Sequence, residues 1–296
     1  MTTIALLGVG RMGQELAVHL LHAGHDLVVW NRTAGGADRI VEAGARRAGS
    51  PAEAVEGAEV VVTALFGPDA VREVVLAGPP LPPDAVWLDV TTVSPDDADS
   101  FADWAAERSV RYVHGPVVGS LAPARAGTLG VLLGGASEDV EVVRPLVALW
   151  ADPERLRVVD APRTAAAGKL LANLALGVSL QGLVEALRLG ASTGIDADTV
   201  LSMLGSTGLG FIAGMKGPMI RERSFDDTQF SADLLAKDAR LVLASTDAPM
   251  PAVEALLATL DEARAAGRGD SDIAVVVEPE LGAEPSTLAG PATSSA

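Results

Sequence analysis

Lys169 and Asn173 are the two residues whose types and spacing most favour chemistry in this chain. They lie four positions apart within Arg163 to Gly194, a stretch that is rich in Ala and Leu and contains no Pro. Such a composition predicts one long helix, on which residues four apart share a face. Apolar residues occupy nearly every side, so we expect this helix to be covered by protein. Its polar residues form one slowly drifting line of Lys169, Asn173, Gln181 and Glu185.

The sparing use of lysine makes Lys169 stand out further. Of 22 basic residues, only Lys169, Lys216 and Lys237 are lysines. Arg cannot release its proton in a protein, whereas the pKa of a partly desolvated Lys can fall into a useful range. Lys169 is therefore a candidate proton donor and acceptor. The alternative is a solvated charge on a helix, which is the usual role of a single lysine.

The start of the chain predicts a dinucleotide site. A strand from Thr3 to Leu7, a glycine turn, a helix from Gln14 to His22 and a strand from Leu27 to Trp30 make one βαβ unit. The first glycine permits a tight turn, the second admits a pyrophosphate, and the third lets helix and strand pack closely. The helix N-terminus then offers N–H groups to the phosphates. The alternative is an ordinary glycine turn; the residues of the predicted site are Gly8, Val9, Gly10, Arg11, Met12 and Gly13.

The end of the second strand favours NADP over NAD. An acidic residue there would bind the ribose 2'-hydroxyl, but the chain has Asn31, Arg32 and Thr33. Arg32 would attract a 2'-phosphate, to which Asn31 and Thr33 could donate hydrogen bonds. The alternative is that Arg32 is only a surface charge.

Strands and helices alternate up to residue 162, which predicts an α/β fold with a parallel sheet covered by helices on both faces. Four helical patterns follow Gly194, without a strand pattern before the last stretch, and predict an all-α domain. We expect an NADP-binding Rossmann domain at 1–162, an interdomain helix at 163–194, an all-α C-terminal domain at 195–277 and a disordered tail at 278–296. The further predicted elements are Glu59 to Leu65, Pro68 to Leu76, Ala85 to Val90, Pro95 to Glu107, Val110 to Val113, Gly130 to Leu133, Glu138 to Trp150, Leu156 to Val159, Asp198 to Leu204, Ile212 to Ile220, Ser231 to Ala244 and Ala252 to Ala266.

Three loops are placed to bind ligands, because ligands on such sheets lie beyond the carboxyl ends of the strands. Leu65 and Phe66 follow one strand, and Thr92 follows the next with a hydroxyl that could contact ribose or substrate. Small residues around Gly119 and Ser120 expose backbone N–H groups, which suits a carboxylate. Ordinary glycine loops and helix caps would explain the same residues.

Composition argues against several other classes of function and site. The formal charge of -17 argues against a general affinity for nucleic acid or anionic membrane. The chain has no Cys, and His19 and His22 lack a carboxylate or thiolate partner at a suitable spacing, so we predict no metal site. The start lacks the pattern of a signal peptide, which predicts a cytoplasmic protein. Tyr112 is the only Tyr and lies within a strand, so a Tyr-Lys proton relay is excluded. His114 could act as a base, although a histidine at a strand end is more often packed, and Lys169 is the favoured acid/base.

Together these motifs resemble the β-hydroxyacid dehydrogenase family, which includes 3-hydroxyisobutyrate dehydrogenases, tartronate semialdehyde reductases and glyoxylate/succinic semialdehyde reductases. The resemblance covers the chain from Ile4 to about Val275. It implies a Rossmann domain, a long interdomain helix that carries a catalytic Lys, and a helical domain that forms a homodimer. The matching motifs are Gly8 to Gly13 with Asn31-Arg32-Thr33, Asp89 to Pro95, Gly115 to Leu129, Gly168-Lys169-Leu170 with Asn173, and Phe230 with Lys237-Asp238.

The resemblance also implies roles for single residues. Lys169 would donate or accept the proton, and Asn173 would position the substrate. The other residues to which it gives a role are Thr92 and Lys237 at the cofactor, and Val118, Gly119, Ser120, Phe230 and Asp238 at the substrate.

One loop departs from the family pattern, which commonly reads Asp-Ala-Pro-Val-Ser-Gly-Gly where this chain has His114 to Ser120. Val118 replaces a substrate-binding serine, so a buried substrate oxygen would lose a partner at a cost of about 1 to 3 kcal/mol. Ser120 can compensate in part. A less polar carbonyl or an imine is therefore an alternative to a small hydroxyacid.

We thus predict an NADPH-preferring oxidoreductase that moves hydride between the nicotinamide and a carbonyl carbon of a small hydroxyacid or semialdehyde-like substrate. An imine reductase on the same architecture is the nearest alternative. Those enzymes generally lack Lys at this position, so Lys169 argues against it and Val118 argues for it. A non-catalytic NADP-binding module that recruits partners is a further alternative, which the pairing of Lys169 with Asn173 disfavours.

Overall fold

The computed structural model describes residues 2–282, and the first part of this range forms a mixed sheet. Its strands are β1 Thr3–Leu7, β2 Asp26–Trp30, β3 Arg46–Arg47, β4 Val60–Thr63, β5 Val86–Asp89, β6 Arg111–His114, β7 Val117–Val118, β8 Leu129–Gly135 and β9 Ala151–Val159. They lie in the order β3-β2-β1-β4-β5-β6-β8-β7, with β9 also paired to β8. From β3 to β6 the strands run parallel, as the alternation of strands and helices predicts.

The other end of the sheet corrects the expectation of a fully parallel arrangement. β8 runs antiparallel to both β6 and β7, and β9 runs parallel to β8. Only Gly115 and Pro116 separate β6 from β7, and a short segment joins β7 to β8. A parallel return from β7 needs a crossover of a dozen or more residues, and only ten residues, 119–128, lie between β7 and β8.

Helices cover both faces of the sheet. Alternate residues of β1 belong to the apolar cores on opposite faces of the sheet. Leu6 lies in one core with Leu16, and Leu7 lies in the other with Trp87. Strands that are buried on both faces are typical of parallel sheets. The helices of this part are α1 Arg11–His22, α2 Asp38–Glu42, α3 Pro51–Val55, α4 Pro68–Val71 continued by a π-helical turn at Arg72–Leu76, α5 Pro95–Glu107, α6 Leu121–Ala126 and α7 Ser137–Val147, with a 3-10 turn at Ala34–Ala37.

The elements between β2 and β4 were not predicted. The 3-10 turn, α2, β3 and α3 are each five residues or shorter. Segments of this length do not complete two turns of a helical pattern or establish a strand alternation, so the hydrophobic periodicity carries no signal for them.

α8, Pro162–Thr193, confirms the predicted long interdomain helix. Pro162 occupies its first turn, where the missing N–H is not needed, and Gly194 caps its end in a left-handed conformation with φ 77°. By length and composition alone, α8 could also cross a membrane. Its most apolar window has a mean hydropathy of 1.6, and 44% of that window is buried inside the protein.

The chain after α8 forms a helical domain around the second half of that helix. Leu183 and Leu187 of α8 lie in one apolar core with Leu235, Leu256 and Ile273. The elements are α9 Ala197–Leu204, α10 Gly210–Glu222, α11 Ala232–Ala244, α12 Pro251–Ala265 and a 3-10 segment at Ile273–Leu281.

The ordered chain extends beyond residue 278, where the disordered tail was predicted to begin. Residues 278–281 belong to the 3-10 segment, and Arg188 Nη2 of α8 donates to Glu280 Oε1 at 2.8 Å. This long-range ion pair, together with the buried Val275 to Val277, fixes a stretch whose composition alone suggests disorder. The rest of the predicted tail, 283–296, lies outside the described residues.

Candidate active site

A cavity of about 410 Å³ lies at the carboxyl ends of β1, β2, β4 and β5, where α8 and α11 cover it. This is the edge at which parallel α/β sheets bind ligands. Most of the cofactor residues predicted from the sequence line it: Gly8, Gly10, Arg11, Met12, Gly13, Asn31, Arg32, Thr33, Leu65, Phe66, Thr92 and Lys237.

The glycine turn is shaped to receive a pyrophosphate. Gly8 has φ 99°, and a Cβ there would lie 2.5 Å from the carbonyl oxygen of Ala64, while a Cβ at Gly13 would lie 2.2 Å from that of Gly8. Both positions therefore require glycine. A Cβ at Gly10 would meet nothing within 4 Å, and Gly10 precedes α1 without a side-chain cap. The turn thus leaves open space beside free helix N–H groups, which fits a dinucleotide phosphate.

The end of β2 is held against this turn by Asn31. Its Oδ1 accepts a hydrogen bond from Val9 N at 3.1 Å, and its Nδ2 donates to the carbonyl oxygen of Thr33 at 2.9 Å. Arg32 remains largely exposed, with one guanidinium nitrogen 3.9 Å from a carboxylate oxygen of Glu73. Val9 itself is fully buried and anchors the turn without lining the cavity.

A buried carboxylate joins two loops of the cavity. Asp89 Oδ1, at the end of β5, accepts hydrogen bonds from Thr63 Oγ1 at 2.7 Å and from Thr91 N at 3.0 Å. Thr91 Oγ1 in turn accepts from Leu65 N at 3.1 Å. The loop that carries Leu65 is thereby fixed to the loop that carries Thr92.

Lys169 enters the cavity from α8 and is the end of a chain of polar side chains that continues through Asn173 to Asp238. Its side chain is buried, with 8% of the residue exposed, and Nζ donates to Asn173 Oδ1 at 3.1 Å. Asn173 Nδ2 donates to Asp238 Oδ2 at 2.5 Å, which fixes the amide so that its oxygen faces the lysine. Asn173 supports Lys169 from behind and does not line the cavity.

The surroundings of Lys169 bring its proton into a useful range. Burial, opposed by the carboxylate of Asp238 and assisted by the cation of Lys237, lowers the pKa of Lys169 from 10.5 to about 8. Both protonation states of the amine are therefore accessible near neutral pH, as a group that gives and takes a proton requires.

Lys237 and Asp238, which are neighbours on α11, form an ion pair that is buried in the site. Lys237 Nζ lies 2.7 Å from Asp238 Oδ1 and donates to the carbonyl oxygen of Thr92 at 3.2 Å. It also lies 5.8 Å from the centre of the Phe66 ring. Lys237 thus connects the helical domain to both cofactor loops.

The residues predicted to bind the substrate line the cavity only in part. Gly119, Phe230 and Asp238 line the cavity as predicted, whereas Val118 and Ser120 do not. β7 explains this, because alternate residues of a strand point to opposite sides and the neighbouring Val117 faces the cavity instead. The glycines of this segment are typical of a loop, and a strand of two residues is too short to show an alternation of side chains in the sequence.

Other lining residues were also missed. Thr91 adjoins the predicted Thr92 and could have been found from the strand end. Apart from Phe230, Lys237 and Asp238, no pattern indicated the residues that reach the cavity from the helical domain and its last loop. The missed residues include Val117, Leu121, Gln229, Ser231, Asp233, Leu234 and Asp270.

Comparison with known proteins gives two family matches that together span most of the chain. Residues 3–161 match the NAD binding domain of 6-phosphogluconate dehydrogenase, and residues 164–279 match the family described as NAD-binding of NADP-dependent 3-hydroxyisobutyrate dehydrogenase.

Individual relatives match over nearly the whole chain. Glyoxylate/succinic semialdehyde reductase 1 of Arabidopsis thaliana is 30% identical over 284 residues, which cover 93% of this chain and 97% of the relative. 3-Sulfolactaldehyde reductase of Escherichia coli strain K12 is 30% identical over 290 residues, covering 94% and 95%. The structure of Mycobacterium tuberculosis 3-hydroxyisobutyrate dehydrogenase with L-serine superposes with a TM-score of 0.82 at 26% identity and covers 94% of this chain and 99% of that one.

Proposed function

The chain belongs to the β-hydroxyacid dehydrogenase family of NAD(P)-dependent oxidoreductases, and on this premise we propose that it reduces a small carbonyl substrate with NADPH, or oxidises the corresponding alcohol, with Lys169 as general acid/base. The observation that carries the proposal is the buried Lys169 amine, which lines the same cavity as the glycine turn and has a pKa of about 8. Bound NADP(H) supplies or accepts the hydride at its nicotinamide ring.

In the reductive direction, the ammonium of Lys169 gives its proton to the substrate oxygen as the carbonyl carbon gains hydride. The same cation stabilises negative charge that develops on the oxygen. In the oxidative direction, the neutral amine takes the hydroxyl proton. Asn173 holds Nζ in place at 3.1 Å, and its own amide is fixed by Asp238, so the amine is preorganised for both directions.

The preference for NADPH rests on Arg32. Its guanidinium is exposed at the end of β2, where an acid would favour NAD and where the chain has none. A charge-assisted bond to a 2'-phosphate contributes about 1.5 to 3 kcal/mol, or roughly ten- to hundredfold in affinity. Arg32→Ala should therefore weaken NADPH binding by about that factor and leave NADH binding unchanged, as measured by nicotinamide fluorescence. Equal losses for both dinucleotides would contradict the assignment.

The proposed substrate class rests on the relatives and on Gly119 in the cavity lining. The names of the Arabidopsis and Escherichia coli relatives indicate small aldehydes, which supports a semialdehyde or small hydroxyacid here. The backbone of Gly119, which has φ 144° and lines the cavity, can offer N–H groups to a carboxylate.

Reduction of imines is the second candidate. Val117, Leu121 and Phe230 add apolar side chains to the lining of the cavity, which suits an uncharged C=N substrate. Lys169 remains the argument for the carbonyl, because its ammonium matches the charge that develops on an oxygen.

The test is NADPH consumption by the wild-type chain and by Lys169→Ala across glyoxylate, succinic semialdehyde, other aldehydes and ketoacids, and cyclic imines, with NADH alongside. We expect turnover of an aldehyde or ketoacid that Lys169→Ala loses. Turnover of imines alone would favour the second candidate. Tight NADPH binding without turnover of any substrate would favour a non-catalytic NADP-binding module and contradict the proposal.

The protein is further proposed to act as a homodimer through its helical domain. Leu171 and Leu189 on α8 are each 66% exposed and Phe211 on α10 is 76% exposed in the single chain. Exposed apolar side chains on neighbouring helices are typical of an interface. Sedimentation should give a dimer for the wild type and a monomer for Phe211→Glu; a monomeric wild type would contradict this part.

A further inference from the structure

One ion pair connects the glycine turn to the helical domain across the mouth of the cavity. Arg11 Nη1 and Nη2 donate to Asp270 Oδ1 and Oδ2 at 2.9 and 2.8 Å. The two residues are 259 positions apart, and both line the cavity. The bond is bidentate, which is the geometry that best orients a guanidinium.

Asp270 is itself held firmly on the helical side. Its carbonyl oxygen accepts a hydrogen bond from Thr228 Oγ1 at 2.8 Å. Two residues further on, the fully buried Asp272 accepts from Gln229 N at 3.0 Å and pairs with Lys216 Nζ at 2.7 Å. The segment from Asp270 to Asp272 is therefore a fixed part of the helical domain, although the side chain of Asp270 is 82% exposed.

Arg11 is the first residue of α1, directly after the open face of Gly10. The paired side chains of Arg11 and Asp270 therefore line the cavity beside the turn at which dinucleotide phosphates would lie. We infer that Asp270 is a positioning residue for the cofactor, which holds the Arg11 guanidinium across the cleft and thereby slows dinucleotide release. This rests on NAD(P) binding at the glycine turn and is independent of the substrate and of the role of Lys169.

A direct charge effect of Asp270 on the cofactor would change binding in the opposite direction. Asp270 is a carboxylate near the expected phosphates in a chain of formal charge -17. If its charge acted directly on the cofactor, removing it would tighten binding. The two accounts therefore differ in the direction of the effect, which makes the inference testable with an exposed residue whose substitution should not disturb folding.

The experiment is a stopped-flow measurement of NADPH release, by displacement with excess NADP+, for wild type, Asp270→Asn, Arg11→Ala and the double variant. We expect Asp270→Asn to release NADPH about two- to fivefold faster, the effect of about 0.4 to 1 kcal/mol for an exposed pair. In the Arg11→Ala background the same substitution should have no accelerating effect. Asp270→Glu should retain slow release, and about 1 M NaCl should abolish the difference between wild type and Asp270→Asn.

Glu141→Gln is the matched control, because it removes the carboxylate of an exposed Arg144–Glu141 pair that lies within α7. It should leave the release rate unchanged. Slower or unchanged release for Asp270→Asn, equal acceleration in the Arg11→Ala background, or equal acceleration by Glu141→Gln would each overturn the inference. Because release is measured without substrate, these outcomes are distinct from a failure of the proposed reaction.

Discussion

Replacement of Lys169 by Met should stabilise the protein at neutral pH while it removes turnover. Burial lowers the pKa of Lys169 from 10.5 to about 8, so a protonated Lys169 in the folded state costs about 3 kcal/mol relative to the unfolded chain. The lost hydrogen bond to Asn173 offsets about 1 kcal/mol of this gain. At about pH 7 the Lys169→Met variant should therefore unfold with a free energy about 2 kcal/mol higher than wild type.

The pH dependence of this difference is the sharper quantity. Below pH 8 both states of wild type hold the proton, and the folded state bears the full cost. Between pH 8 and 10.5 only the unfolded state still holds it, so the stability of wild type rises with pH and the advantage of the variant shrinks by about 3 kcal/mol. Titrations shared by both proteins cancel in the difference.

The assay is urea unfolding of both proteins at several pH values from about 7 to about 10. Lys216→Met is the matched control, since Lys216 is also buried but pairs with Asp272 at 2.7 Å; its loss should destabilise the protein by about 3 to 5 kcal/mol. A difference between Lys169→Met and wild type that stays constant or grows from about pH 8 to about pH 10 would refute the reasoning.

Two further substitutions test the cofactor turn and the polar chain. Gly10→Ala should leave the free energy of unfolding unchanged, because its Cβ would meet nothing within 4 Å in the protein. It should weaken NADPH binding by at least about tenfold, because the phosphate would meet that methyl group. The control is Gly44→Ala, at φ 116° and away from the cavity, which should lose about 1 kcal/mol of stability or more and keep its NADPH affinity. Unchanged NADPH binding by Gly10→Ala would contradict the assigned turn. Asp238→Asn removes the carboxylate that raises the pKa of Lys169. The pH above which the rate of reduction falls should therefore move below 8 in this variant. A fall at the same pH or at a higher pH would contradict that coupling.

The parts of this protein that follow from sequence are those with a long or repeated signal. The thirty-two residues of α8 and the strand, turn and helix around Gly8 to Gly13 combine composition, periodicity and fixed spacing. Each signal is local and independent of distant contacts. The helix that carries Lys169 and the cofactor edge of the sheet can therefore be predicted from the sequence alone.

The missed parts depend on contacts between distant residues. β8 runs antiparallel because the segment after β7 is too short for a crossover. β7 has only two residues, so the sequence gives no strand pattern from which this return could be predicted. Arg11 and Asp270 meet across 259 positions, and no spacing rule connects them. The place of Val117 rather than Val118 in the cavity depends on the phase of a short strand, which shifts every side chain when displaced by one residue.

The most direct test of the central claim is the pH dependence of kcat/KM for NADPH-dependent reduction by wild type and by Lys169→Met, with a substrate found in the screen. The account predicts that the wild-type value is level at lower pH and falls about tenfold per pH unit above a midpoint near 8, while the variant is slower by at least about a hundredfold and lacks that limb. A variant that keeps most of the wild-type rate, or that shows the same limb, would contradict the assignment of Lys169 as the proton donor.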